Sequence, residues 1–329
     1  WNFVTLDNYV AISQQNNVEV DMVLGLSPQW ASARPNETSV YKPGNAAEPL
    51  DIQDWRDFVQ AVVTRYKGRI QQYEIWNEPN DPTFFSGTPD KMLQLASEAY
   101  KIVKQVDPAA LVISPAVTEA SSLPWLDNYL SIGGGNYADV IGYHFYVSPN
   151  PPESIVSLAS QVRTIMSHYG QQAKPLWSTE SGWHPPASFS TTDQEAAYVA
   201  RAYLLAWASG ASRFYWYAWD DHDWVSLQLT NADGSLRPSA QALAVVRGWI
   251  LNSDLKPCSS DSAAVWTCDV TQGSRTSHIV WSPSGIATFA IPQSWKSTTT
   301  VSLTGQSSPV PATQTSIQVS ASPTLFLGT

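Results

Sequence analysis

Over residues 1–252, apolar positions alternate between two textures. Short β-rich runs, "VEVDMVLGL" (18–26), "IQQYEIW" (70–76), "ALVIS" (110–114), "ADVIGYHFY" (138–146), "KPLWSTE" (174–180) and "SRFYWYAW" (212–219), read as six strands. Between them, near 51–66, 89–106, 121–131, 152–169, 192–208 and 237–251, apolar residues recur at spacings of three and four, the period of amphipathic helices. A further helix, about 4–15, precedes the first strand. Strand and helix in strict alternation predict repeated βα units on a parallel sheet, an α/β fold. From Ser253 the pattern changes to short alternating runs separated by Ser, Gly and Pro. Residues 253–329 therefore read as a small all-β sandwich that follows a catalytic-sized α/β domain at 1–252.

Composition narrows the choice of partner. Eighteen Lys and Arg against 28 Asp and Glu give a net charge of -10, which repels phosphate backbones and anionic membrane surfaces, so neither nucleic acid nor a membrane is the expected partner. No apolar run reaches the roughly 18 residues that a membrane span needs. Fifteen Trp and 14 Tyr supply flat faces that serve core packing and sugar stacking equally well. Cys258 and Cys268 are ten residues apart. In a secreted protein that spacing suits a disulfide closing a short loop, whereas a two-thiol metal site would lack its other ligands. The sequence starts at Trp1 without a leader, so any signal peptide has been removed or lies upstream, and the expected location is secreted, extracellular or periplasmic.

Parallel α/β folds carry their chemistry at the C-terminal ends of strands. Glu78, in "YEIWNEPN", occupies such an end on the second strand, and Glu180, in "LWSTESGWHP", on the fifth. In a closed barrel, strands three apart face each other obliquely across the mouth. Two carboxylates without a metal or a Ser/His set equip a protein to cleave glycosidic bonds, retaining or inverting according to whether they stand about 5–5.5 Å or about 6.5–9.5 Å apart. Glu74 shares the parity of Glu78 but lies about 13 Å deeper on a straight strand, where pairing with an Arg or Lys is expected. Asn77 can donate to a substrate hydroxyl. On the fourth strand His144 and Tyr146 reach the mouth, and Tyr146 can hold Glu180 ionised and oriented. Trp219 and Trp30 are candidate stacking platforms, joined by Trp183 in the Glu180 segment. Asp220, Asp221, His222 and Asp223 invite a metal, yet no fixed ligand spacing recurs elsewhere, so no metal or cofactor is expected. Ser178 and Ser181 lack the G-x-S-x-G context of a serine hydrolase.

These residues resemble the clan A glycoside hydrolases, and "YEIWNEPN" is most similar to the acid/base strand of glycoside hydrolase family 39. The resemblance implies a TIM-type (β/α) barrel followed by a β-sandwich, with Asn77–Glu78 ending barrel strand 4 and Glu180 ending strand 7. It further implies that Glu78 is the acid/base, Asn77 binds the 2-hydroxyl, Glu180 is the nucleophile of a retaining double displacement, His144 and Tyr146 form the His-x-Tyr of the intervening strand, and Trp219 is the strand-8 Trp. The substrate is then a β-linked oligosaccharide or polysaccharide. "ESGWHP" departs toward the nucleophile segment of plant-type endo-β-1,3-glucanases. If Glu78 ends strand 4, strands 1 and 2 are lacking ahead of residue 18, and either a fragment of a longer protein or a homodimer covering the open barrel edge is expected. The reading from a different class is a catalytically inactive carbohydrate-binding or assembly protein that keeps the carboxylates.

Overall fold

In the computed structural model, which describes residues 2–221 and 223–328, the chain divides into two units, Trp1–His144 with Gln161–Thr179 and Phe145–Ser160 with Glu180–Thr329. Among the described residues seven α-helices occur: α1 (Val4–Gln15), the further helix expected near 4–15, and α2 (Ile52–Tyr66), α3 (Pro89–Val106), α4 (Leu123–Ser131), α5 (Ser154–His168), α6 (Thr192–Ala208) and α7 (Pro238–Ile250), which fall where the three-and-four spacing places them. Their starts follow local chemistry. Side-chain oxygens of Asp51, Thr88 and Thr191 accept from the backbone N–H of Gln53, Lys91 and Gln194, satisfying donors that the first helical turn leaves unpaired. None of these described helices is long and apolar enough to cross a membrane.

The first unit is built on parallel strands. β1 (Asp21–Leu24), β2 (Gln72–Ile75) and β3 (Leu111–Ile113) pair in that order, with Asp21 opposite Gln72 and Gln72 opposite Leu111. A parallel bridge from Ile113 to Val140 and pairing of β4 (Val117–Thr118) with β5 (Ile141–His144) continue the order toward β6 (Leu176–Glu180). Helices α2 and α3 bury Trp55, Val59, Val62 and Val63 and Leu95, Ala96, Ala99 and Val103, and the Trp55 indole donates to the Leu95 carbonyl at 2.9 Å. Full burial of each large apolar side chain contributes about 1.5–3 kcal/mol. Strands β2 and β5, buried on every residue, show why parallel strands here lack strict alternation: both faces are covered.

In the second unit β7 (Ala211–Phe214) is shorter than the expected run over 212–219. The chain leaves the strand, and the Tyr217 N–H donates to the Ser181 carbonyl at 2.7 Å. The C-terminal part holds β8 (Asp254–Leu255), β9 (Ser259–Ser260), β10 (Trp266–Gln272), β11 (Arg275–Trp281), β12 (Ala287–Ala290), β13 (Thr299–Val301), β14 (Ser307–Pro309), β15 (Ser316–Val319) and β16 (Thr324–Phe326). An antiparallel sheet runs β14-β13-β16-β11-β10-β8, with β9 also on β10, and a separate antiparallel pair joins β12 to β15. One apolar cluster joins Val265, Val280, Val319 and Phe326 to Phe289, Trp295 and Ile317. Another joins α6 and α7, through Leu204, Leu205, Val246 and Trp249, to Val270, Ile279 and Trp281. Trp281 is buried, stacks on Trp266 at 5.9 Å, and donates its indole N–H to Glu153 at 2.8 Å, so packing occupies both rings. Cys258 and Cys268 are joined by a disulfide.

Candidate active site

Strand β2 stops at Ile75 because the backbone turns left-handed. Trp76 and Glu78 have φ of 63° and 43°, conformations that non-glycine residues rarely adopt and that cost about 1–3 kcal/mol each. Neighbouring strands hold them there: the Trp76 N–H donates to the Leu24 carbonyl at 2.7 Å and the Glu78 N–H to the Ala116 carbonyl at 3.0 Å. Trp76 is buried, its indole N–H given to the Phe84 carbonyl at 2.8 Å and its ring against Phe85 at 5.0 Å. Asn77, partly exposed, bridges Ala116, and Asn80 Oδ1 accepts from the Thr118 N–H at 3.1 Å. Local strain thus aims Glu78 out of the strand end.

His144, buried at the end of β5, meets both glutamates of this strand. Its Nδ1 lies 2.8 Å from Glu78 Oε1, a hydrogen bond in which the imidazole N–H donates to a carboxylate or the protonated carboxyl donates to a bare nitrogen. Its Nε2 lies 3.7 Å from Glu74 Oε1, an electrostatic contact rather than a hydrogen bond. Glu74 is buried, and its Oε1 has no hydrogen-bond partner among the described residues. The expected Arg or Lys partner is replaced by this imidazole. The imidazole that bonds Glu78 is thus within reach of Glu74 as well. The Glu78 side chain keeps 12 % exposure, so it alone of the three opens to solvent to a useful degree.

Glu180 closes β6, and the Tyr146 hydroxyl donates to its Oε1 at 2.6 Å. A bond of this length fixes the orientation of the carboxyl group. The segment after Glu180 is threaded tightly. Ser181 Oγ donates to the Phe145 carbonyl at 2.9 Å, and a Cβ on Gly182 would stand 2.0 Å from the Tyr217 carbonyl oxygen, so only glycine fits. Trp183 is a correction to the expected platforms. It is 0 % exposed, gives its indole N–H to the Asn150 carbonyl at 2.9 Å and packs on Trp216 and Tyr198, leaving no face for a sugar.

Trp219 and Trp30 are open, at 53 % and 72 % exposure, and Trp30 lines a cavity of about 200 Å³ with Leu26, Trp55 and Phe58 at the end of β1. Of the acidic run, Asp221 is committed to protein groups: its oxygens accept from the N–H of Asp223 and Trp224 at 2.9 and 3.0 Å and from the Tyr217 hydroxyl at 3.1 Å. His222 lies outside the described residues. Two features escaped the sequence reading. One is the contact of Glu74 with His144; the other is an aromatic group, Tyr146, His184, Tyr217 and Trp224, around the Glu180 side. The dense Trp and Tyr of "YWYAWDDHDW" was the available signal, but it does not say which rings meet.

A family described as glycosyl hydrolases family 39 matches residues 1–216. A "Beta-xylosidase" of Geobacillus stearothermophilus is 27% identical over 229 residues, 61% of this chain and 45% of that protein. Another, of Caldicellulosiruptor saccharolyticus, is 25% identical over 228 residues, covering 62% and 46%. The chain spans about half the length of these curated relatives. Among solved structures, a family 39 glycoside hydrolase from Bacteroides cellulosilyticus superposes with a TM-score of 0.81 at 20% identity, covering 99% of this chain and 71% of that one. A GH39 β-xylosidase from Caulobacter crescentus gives 0.70 at 15%, covering 100% and 83%. At such identities the likeness shows the fold, a TIM-type barrel with a β domain.

Proposed function

The chain belongs to glycosyl hydrolases family 39, and from that premise we propose that it is a retaining glycoside hydrolase acting on β-linked glycans, with Glu78 as acid/base and Glu180 as nucleophile. The observation that carries the reading is the different provision for the two strand-end carboxyls. Glu180 receives a hydroxyl donor, Tyr146, which suits a group that must be ionised to attack. Glu78 faces an imidazole, a partner able to donate or accept, which suits a group that must hold a proton in one step and lack it in the next.

In the first step Glu180 attacks the anomeric carbon while Glu78 protonates the glycosidic oxygen; the bond to the leaving group breaks, an alcohol departs and a glycosyl ester forms on Glu180. In the second step Glu78, now a carboxylate, takes a proton from water, the water oxygen bonds to the same carbon, and Glu180 leaves. Two inversions give net retention, which requires the carboxyls about 5–5.5 Å apart. Asn77 binds the 2-hydroxyl, and Trp219 and Trp30 offer sugar-stacking faces. On the family strand order β2 is the fourth and β6 the seventh barrel strand, with β1, β3, β5 and β7 third, fifth, sixth and eighth. Residues 1–252 are the catalytic domain and 253–329 an accessory β domain.

The relatives' names make β-xylosides the first substrates to test. Products from a panel of β-linked oligosaccharides, with the anomer followed by NMR, should show the β-anomer first. An initial α-anomer contradicts retention, and glycan binding without released reducing ends favours the inactive binding protein instead. A secreted location accords with the Cys258–Cys268 disulfide.

A further inference from the structure

Beyond the two glutamates, the second unit carries an aromatic group that the reaction as described does not use. Trp224 stacks on His184 at 4.9 Å with 21° between ring planes, and each also touches Tyr146, the residue bonded to Glu180, edge to face at 5.8 and 5.6 Å. Tyr217 meets Trp224 edge to face at 5.5 Å. The Trp224 backbone is pinned as well, since its N–H and that of Asp223 are given to the Asp221 carboxylate that also receives the Tyr217 hydroxyl.

Packing alone does not account for this arrangement. The stacked pair Trp183 and Trp216 shows how the same unit buries aromatic rings, with Trp183 fully covered. Trp224, by contrast, is held rigidly and still keeps 46 % exposure. Rigid, exposed indole is what a pyranose needs, because its C–H faces stack on an aromatic ring at little cost in side-chain entropy. His184 adds a polar edge. Its Nδ1 lies 2.8 Å from the Pro185 carbonyl, which can only accept, so Nδ1 carries the donated proton and the ring is oriented by its own loop.

We propose that His184 and Trp224 form a binding subsite for a second pyranose ring of the glycan, adjoining the ring that Glu180 attacks. This rests on the glycosidase reading above, and it makes the chain a protein adapted to oligosaccharides rather than to single glycosides.

The test compares xylotriose with β-xylosyl fluoride, or the corresponding pair for whichever sugar the panel selects. Fluoride leaves without filling a second sugar site. Trp224→Ala should lower kcat/KM on the trisaccharide roughly tenfold, mostly through KM, the loss expected for one stacking contact. Hydrolysis of the fluoride should fall by a clearly smaller factor than that of the trisaccharide, and its retained turnover also reports that the variant is folded. Equal losses on both substrates, or none on the trisaccharide, overturn the subsite. If the wild type turns over neither substrate nor any panel glycan, the glycosidase reading itself has failed.

Discussion

His144 joins two glutamates of one strand: Glu78 at 2.8 Å on its Nδ1 and the buried Glu74 at 3.7 Å on its Nε2. A buried carboxyl oxygen with no hydrogen-bond partner among the described residues is costly to the fold. Such a cost persists where it serves the site, and here the Glu74 carboxyl meets the imidazole that bonds Glu78, the proposed acid/base. Glu74→Gln should therefore leave the melting temperature unchanged or raise it by a few degrees, while kcat/KM falls at least roughly tenfold. Parallel loss of stability and activity in calorimetry and kinetics would assign Glu74 a packing role only.

Tyr146→Phe removes one hydroxyl and with it the 2.6 Å bond to Glu180. Deletion of one preorganised donor to a reacting group costs up to about 10²–10³ in kcat. The expected loss here is roughly 10²-fold in kcat with an unchanged circular dichroism spectrum, and a loss below twofold would mean that Glu180 does not depend on this donor.

Much of this arrangement was legible in the sequence, for identifiable reasons. Helices α2, α3 and α6 were legible because their apolar residues recur at spacings of three and four, and Asp51, Thr88 and Thr191 then fix their starts locally. The Tyr146–Glu180 bond followed from two strand ends in a parallel sheet. What did not show was anything set by a turn or by a meeting of distant loops. Glu74 was expected to pair with an Arg or Lys, whereas the side chain it meets is His144, brought from a different strand. Trp183 read as exposed because it follows Glu180 by three positions, yet the Gly182 approach to Tyr217 carries it into the interior. The His184–Trp224 stack joins loops whose sequences carry no record of each other.

Gly182→Ala is a direct probe of that tight passage. A methyl group 2.0 Å from the Tyr217 carbonyl oxygen forces the backbone to shift, and overpacking of this kind costs typically about 1–3 kcal/mol. Thermal unfolding should shift down by at least a few degrees, with activity reduced further through displacement of Glu180. An unaltered melting curve would mean that the two segments part easily.

Asp7 ties α1 to α2 through Arg65 at 2.6 Å and accepts from the Tyr66 hydroxyl at 2.9 Å. The Arg65 guanidinium holds the Asp7 carboxyl below its ordinary 3.8, at about 2. A folded-state value below the unfolded one means that the contribution is complete above about pH 4 and is lost as pH falls toward about 2. The difference in melting temperature between wild type and Asp7→Asn should be constant at higher pH and shrink across that window. A difference independent of pH would contradict the ion pair's role.

The account turns on the covalent step, and that step can be caught. A 2-deoxy-2-fluoro β-glycoside with a good leaving group, of the sugar that the panel selects, slows hydrolysis of the glycosyl ester more than its formation. Mass spectrometry of the digested protein should then show a single added glycosyl group on the peptide containing Glu180, and none in Glu180→Ala. A label on any other residue, or an unlabelled protein that still turns over the parent glycoside, would contradict the assignment of Glu180 as nucleophile.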